Sequence, residues 1–320
     1  MKKGSRSYLF MVLFLGAVLI LIGCLFSTRG KPFNTEDPGE NHENSSRNPA
    51  KISPADEETN FPHPYGRVPE GPLSWEDDSD FLKTCKRHQA ILRMSAFQIA
   101  FPDPWPGERA NVVLAAELLT GIVVQPAQYF SLNQAIGPYS SERGFKEGPA
   151  YSGSNIISTV GGGVCKVATT LFNAVVLANL QVLERHPHTM PVPYVPPGQD
   201  TTIAYGYKDF SFINNNAYPV VIWAGTKGDT LTVAIYGEEL PPPVTWNHEY
   251  LGRQKRSTIY RDNPNLAPGE EKIIIYGADG VTVKSWLTIE NPDGAPVTLN
   301  LGIDYYSPLA QVIERGPTFN

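Results

Sequence analysis

The run Gly161-Gly162-Gly163-Val164-Cys165-Lys166-Val167-Ala168-Thr169-Thr170-Leu171-Phe172-Asn173-Ala174-Val175-Val176-Leu177-Ala178-Asn179 decides how this chain is read. A glycine-only turn leads into a segment that is apolar nearly all round, as a helix at the centre of a fold is. The spacing predicts a helix that opens at Cys165 and runs to about Leu180. Its polar exceptions are Lys166, Thr169 or Thr170, and Asn173, which fall at three- and four-residue steps and so form one stripe beside the cysteine. Such a stripe either lines a site or meets a neighbouring loop. A helix N-terminus concentrates unpaired N–H groups and partial positive charge, and both favour the nucleophilic thiolate over the thiol. The same N–H groups suit the oxyanion formed when sulfur attacks an amide carbonyl. Gly162 and Gly163 would leave room for a substrate backbone to approach. The plainer alternative is a buried structural cysteine beside a tight turn.

Working outward, Arg109 to Leu119 reads as a helix with Val112, Val113, Ala116 and Leu119 on one face and Gly121 as its stop. A short helix is expected around Phe81 to Leu92. Downstream, Thr201–Tyr205, Phe210–Ile213, Val220–Ala224 and Thr230–Tyr236 are β-branched and aromatic, with turns at Asn214-Asn215-Asn216 and Gly228-Asp229. They predict an antiparallel meander packed on the cysteine helix. After Pro241-Pro242-Pro243, a spacer, alternating segments at Lys272–Tyr276, Val281–Ile289 and Val297–Tyr306 predict a separate small all-β unit. The fold class is α+β: a central buried helix on a mostly antiparallel sheet, then an all-β domain. The domains are expected at 81–240 and 245–320, after a membrane anchor or lipoprotein signal at 1–27 and a linker at 28–80 rich in Pro, Glu, Asp, Asn and Ser.

The N-terminus differs in kind from the rest. Lys2, Lys3 and Arg6 precede an apolar run, Tyr8 to Phe26, with no charge inside it. At a ~1.5 Å rise per residue it is roughly 28 Å long, close to a bilayer core. Leu21-Ile22-Gly23-Cys24 resembles a lipoprotein lipobox, so a spanning helix and a lipid anchor on Cys24 are both open. Either places the rest of the chain outside the cytoplasmic membrane, facing the extracytoplasmic side. With a net charge of −6, 18% charged residues and no basic stripe, nucleic acid is excluded as a partner. Among three cysteines, Cys85 and Cys165 lie beyond the membrane segment, and a free thiol at Cys165 is expected over a disulfide between them.

A cysteine nucleophile needs a base, and the base needs an orienting partner. Glu184-Arg185-His186-Pro187-His188-Thr189 follows the helix directly, and Asp200 lies a dozen residues on. Asp200 is placed to fix an imidazole tautomer, as the third member of a triad does. Pro187 holds the backbone extended, so only one of His186 and His188 should reach Cys165; residue types alone do not say which. A zinc site from Cys165, His186 and His188 is the other reading, but the pair lacks an ordinary helical ligand spacing, and no metal or cofactor is expected.

Residues from about Leu92 to Gly237 resemble the VanW domain. The pieces that carry the resemblance are Arg109-Ala110-Asn111-Val112, Phe130-Ser131-Leu132-Asn133, Gly137-Pro138, Glu142-Arg143-Gly144-Phe145, the glycine–cysteine block with Thr169 to Ala174, Glu184 to His188, Pro191 to Pro196 and Gly198 to Thr202. From about Thr245 the chain is similar, more loosely, to a G5 domain, chiefly at Tyr305-Tyr306-Ser307-Pro308 and Val312 to Gly316. The resemblance implies a cell-envelope protein acting on peptidoglycan as an L,D-transpeptidase, with Cys165 as nucleophile and His188 as the matching histidine. It implies stem peptides, and wall glycan through the G5-like region, as partners. Gly162, Gly163, Lys166 and His186 are then candidate substrate contacts. The chain departs from the family pattern at Lys166, where glutamine is usual, and at Ala168, where serine is usual. A non-catalytic peptidoglycan-binding scaffold is the alternative.

Overall fold

The computed structural model describes residues 65–152, 155–292 and 294–317, so the expected membrane segment with Cys24 and the first part of the expected linker lie outside the described residues. Described structure starts upstream of Phe81. Gly66 N–H bonds Tyr194 O, Arg67 bridges Gln98, and Trp75 is buried.

A four-stranded antiparallel sheet organises the first part of the chain. Its order is β1 (Leu92–Ala100), β9 (Thr230–Gly237), β8 (Val220–Lys227) and β2 (Ile122–Val124). Alternation along these strands sorts side chains onto two faces. Phe97 and Ile99 of β1, Leu231, Val233 and Ile235 of β9, and Val220 and Ile222 of β8 join the main core. Ala96, Ala234, Tyr236 and Val221 face the other way. The main-core face carries α2 (Pro106–Leu119) and α4 (Cys165–Leu177), and α4 packs on β1 and β9. The opposite face is covered by α1 (Ser79–Arg87) and Trp75, where Phe81 sits edge-on to Trp223 and Tyr236. The helix α1 stops at Arg87, short of the expected Leu92, because Gln89 takes a left-handed conformation (φ 56°) and the chain turns into β1.

The central helix is where the sequence places it. α4 opens at Cys165, and from Val167 to Val176 it is buried without interruption. It ends at Leu177, slightly before the expected Leu180, because Asn179 adopts φ 53° and the Leu180 N–H bonds back to Val175 O. The expected meander is corrected. β8 and β9 form a hairpin in the main sheet, but β7 (Ser211–Ile213) leaves it to lie between β6 (Gln181–Glu184) and β3 (Tyr129–Ser131), which runs into the short helix α3 (Leu132–Ile136). Thr201 to Tyr205, expected as a strand, is an irregular segment. Its Thr201 N–H and C=O are both taken by the Thr169 hydroxyl of α4, and the Thr202 N–H by His186 O, so no strand partner is needed.

Two features pin the start of α4. A hairpin, β4 (Glu147–Ser152) and β5 (Asn155–Val160), delivers the chain to the glycine turn, and the Asn111 side chain of α2 bonds both Gly162 O and the Lys146 backbone. After the polyproline stretch, β10 (Val244–Gln254), β13 (Gly280–Ile289) and β14 (Val297–Tyr306) form an antiparallel sheet. β11 (Thr258–Asp262), β15 (Gln311–Arg315) and β12 (Glu271–Ile275) form another, with β11 and β15 parallel. Strands β10, β13 and β14 contribute side chains to the main core. Leu287 is buried within that core, with Trp246, Ile289 and Leu301 packed against it.

Candidate functional site

The site forms where the first turn of α4 meets the segment 184–203. Cys165 is the first residue of α4 and its thiol is free, as is that of Cys85, buried in α1. Cys165 Sγ lies 3.4 Å from Thr202 Oγ1 and 3.7 Å from the Ile203 carbonyl. His188 also hydrogen-bonds the sulfur. Its Nδ1 is 2.6 Å from Asp200 Oδ2, which fixes that nitrogen as the N–H and leaves Nε2 for the sulfur. The same Asp200 oxygen accepts the His188 backbone N–H at 2.7 Å. Asp200 is fully buried and His188 only 6% exposed, so this chain of hydrogen bonds runs through a dry environment.

Electrostatics follow from these contacts. Burial pushes the Cys165 thiol up, but the hydrogen bond and charge of His188, with the Ile203 backbone and the Thr202 hydroxyl, bring it down to about 7. Burial pushes the His188 imidazole down, and the bonds to Asp200 and Cys165 overcome that and lift it to about 9. Asp200 is penalised by burial yet held below the usual carboxylate range by His188 first, then Arg185 and Tyr306. Between those values the pair is a thiolate beside an imidazolium.

The polar stripe of α4 meets a loop instead of lining a cavity. Thr169 holds Thr201 through both backbone groups at 3.0 Å, and Asn173 Nδ2 holds Gln199 O at 2.8 Å. Thus the stripe fixes the very segment, 199–203, that carries Asp200, Thr202 and Ile203.

Four residues expected to contact substrate also make contacts within the protein. A Cβ on Gly162 would fall 2.1 Å from Gly148 O, and one on Gly163 (φ +101°) would fall 2.7 Å from Glu108 Cγ. These glycines make room for β4 and α2, which pack against the turn. Lys166 forms an ion pair with Glu108 and lies over the Tyr194 ring, its charge already matched by the carboxylate. His186 Nε2 lies 2.9 Å from Glu184 Oε1. Of the two histidines, His188 is the one that meets the cysteine.

Other residues complete the arrangement. Arg185 donates to the Asp200 carbonyl at 2.7 Å and to Asp200 Oδ1 at 3.1 Å, and Tyr306 donates to Oδ1 at 2.5 Å. Thr202 and Ile203 lie in the Gly198 to Thr202 block or just past it, and Arg185 within the Glu184–His188 block, so position could have flagged them. Nothing near Tyr306 in sequence points to Asp200. Among the described residues, no group of three or more His, Cys, Asp or Glu is arranged to hold a metal ion.

Residues 107–236 match the family model described as VanW like protein. Over that span the chain is similar to the VanW family. That span contains Cys165, His188 and Asp200 but not Tyr306. The chain is 34% identical over 173 residues to the uncharacterized protein YoaR of Bacillus subtilis (strain 168), covering 54% of this chain and 56% of that protein. It is 24% identical over 136 residues to the vancomycin B-type resistance protein VanW of Enterococcus faecalis (strain ATCC 700802 / V583), covering 41% of this chain and 50% of that one. The matches therefore span about half the length of these relatives. Among solved structures, an IgA1 protease G5 domain matches 24% of this chain and 94% of its own length at 18% identity and a TM-score of 0.16. The G5 domain of HP0197 matches 23% and 97% at 14% identity and a TM-score of 0.14. At those TM-scores the likeness carries no argument.

Proposed function

We propose that the protein is a cell-envelope enzyme acting on peptidoglycan, a cysteine acyltransferase of the L,D-transpeptidase type. The observation that carries this is the hydrogen-bonded series Cys165–His188–Asp200 at the first turn of a buried helix. It supplies a nucleophile, a base and an orienting carboxylate in the relation such chemistry needs. The family resemblance supplies the substrate class.

In this reading the Cys165 thiolate attacks the carbonyl carbon of a stem-peptide bond preceding a terminal D-amino acid. The electron pair moves onto oxygen. The N–H groups of Lys166 and Val167 are already bonded to Gly163 O and Val164 O, which leaves the Cys165 N–H as the helix-terminal donor nearest the sulfur. As the oxyanion collapses, the C–N bond breaks and the His188 imidazolium gives its proton to the departing amine. A thioester remains. An amine from a second stem peptide attacks it, His188 takes the amine proton, and the C–S bond breaks to restore the thiolate and a new amide. Asp200 holds the imidazole tautomer throughout.

The apolar Tyr8–Phe26 run supports membrane attachment with the domains outside, by a spanning helix or by a lipid on Cys24. Purified protein mixed with stem peptides should form cross-linked dimers, and Cys165→Ala should form none. Equal product from both would end the cysteine mechanism. Failure of the wild type on every stem peptide, with retained binding to wall sacculi, would favour the scaffold reading.

A further inference from the structure

We propose that Tyr306, the last residue of β14 and outside the VanW-like span, is a positioning residue of the Cys165 site, which makes the C-terminal sheet a working part of that site. This rests on the acyl-transfer reading above. The Tyr306 hydroxyl has three partners: Asp200 Oδ1 at 2.5 Å, the Gly198 N–H at 2.9 Å and Arg185 Nη2 at 3.3 Å. Backbone N–H and guanidinium groups only donate. The hydroxyl accepts from both, so its single proton is committed to the carboxylate. Asp200 is then held at each oxygen, with Oδ1 bound by Tyr306 and Arg185 and Oδ2 by the backbone N–H and ring Nδ1 of His188. Rotation of the carboxylate would break at least one charge-assisted bond in a fully buried setting.

The same strand end grips the loop elsewhere. Ser307 N–H donates to Thr189 O at 2.8 Å, one residue past His188, and Asp304 accepts from Arg185 Nη1 at 2.5 Å. Residues 304–307 therefore hold both sides of the loop that carries the base and its orienting acid. The charged and titratable groups around Asp200 are His188, Arg185 and Tyr306, with Asp304 behind Arg185. Around Cys165 they are His188 and, more distantly, Tyr139.

The test is the rate of iodoacetamide alkylation of Cys165 against pH in full-length Tyr306→Phe, read by mass spectrometry on the peptide that contains it. With Oδ1 left to Arg185 alone, the carboxylate swings toward the guanidinium and loosens its bond to His188, and the thiolate loses its imidazolium. The alkylation midpoint should rise by ~1 pH unit, which means about ten-fold slower labelling at pH 6. A lower melting temperature with an unmoved midpoint would make Tyr306 a packing residue only, and a downward shift would make it a mere damper of charge; either overturns the proposal. Should Tyr306→Phe fail to fold, Asp304→Ala releases Arg185 from its second anchor and should raise the midpoint by a smaller amount, no rise being the contrary result. Labelling needs no stem peptide. A wild type that transfers no acyl group while Tyr306→Phe still shifts the midpoint would count against the transpeptidase reading and leave the positioning role standing.

Discussion

At the scale of single residues, Cys165 and His188 set a pH dependence with a definite sign. The thiol is lowered to about 7, so alkylation of Cys165 should climb through about pH 7 and then level off. Transfer needs more than the thiolate, because His188 must also be protonated to release the amine. Turnover should therefore rise through about 7 and fall again through about 9, where the imidazolium is lost. A rate that keeps climbing above pH 9 would remove His188 as the acid. Replacing the base is expected to cost on the order of 100- to 10,000-fold in turnover. His188→Ala should show that loss and His186→Ala should not, since His186 is bonded to Glu184. Asp200 contributes on the acid side. Its folded value lies below its unfolded one, so its share of stability is present above about pH 4 and is lost as pH falls through the folded value. Thermal melts of wild type taken downward in pH should show that loss setting in below about pH 4, and Asp200→Asn should lack it. Cys165 was legible from the glycine turn before it and the apolar helix after it, and Asp200 as the acid shortly beyond the two histidines, while only the family resemblance singled out His188 over His186. Tyr306 was not, since the contact that matters is made by folding the chain back over a hundred residues.

At the scale of elements, α4 was readable because its apolar pattern is unbroken, whereas the segment 201–205 was misread. Its β-branched composition suits a strand, yet its backbone groups are satisfied by the α4 side chain of Thr169 and by His186 O. Thr169→Val keeps the shape and removes both bonds, leaving the Thr201 N–H and C=O buried without that partner. It should lower stability by about 1–3 kcal/mol in denaturant titration and slow labelling of Cys165 as the 199–203 segment loosens. The glycine turn was legible as an element, and the packing that requires its glycines was not. Gly162 is glycine because the Gly148 backbone occupies the space a Cβ would need. Gly162→Ala should therefore reduce folded yield, with a cost of about 1–3 kcal/mol from overpacking. A well-folded Gly162→Ala protein with only weakened substrate binding would restore the substrate-contact role.

At the scale of the whole molecule, the α+β layers and the all-β C-terminal strands follow from pattern, while the way the two regions join does not. No linear signal places Leu287 in the core of the first region or Tyr306 on the Asp200 carboxylate. The join matters for function because the cysteine, its base and the acid behind it are fixed from both sides of it. Attachment outside the membrane is a separate expectation from the N-terminal run, and protease added to intact protoplasts should strip the domains; full protection would place them in the cytoplasm and refute a role on the wall.

The central claim, that Cys165 forms an acyl-enzyme, is tested most directly by mass spectrometry of the purified protein quenched in acid after mixing with a stem peptide ending in a D-amino acid. Between pH 7 and 9, the peptide bearing Cys165 should gain the mass of the shortened stem peptide, lose it on addition of an acceptor amine, and gain nothing in His188→Ala. A thiol that alkylates with a midpoint near pH 7 yet never carries an acyl group, across the stem peptides offered, would contradict the claim.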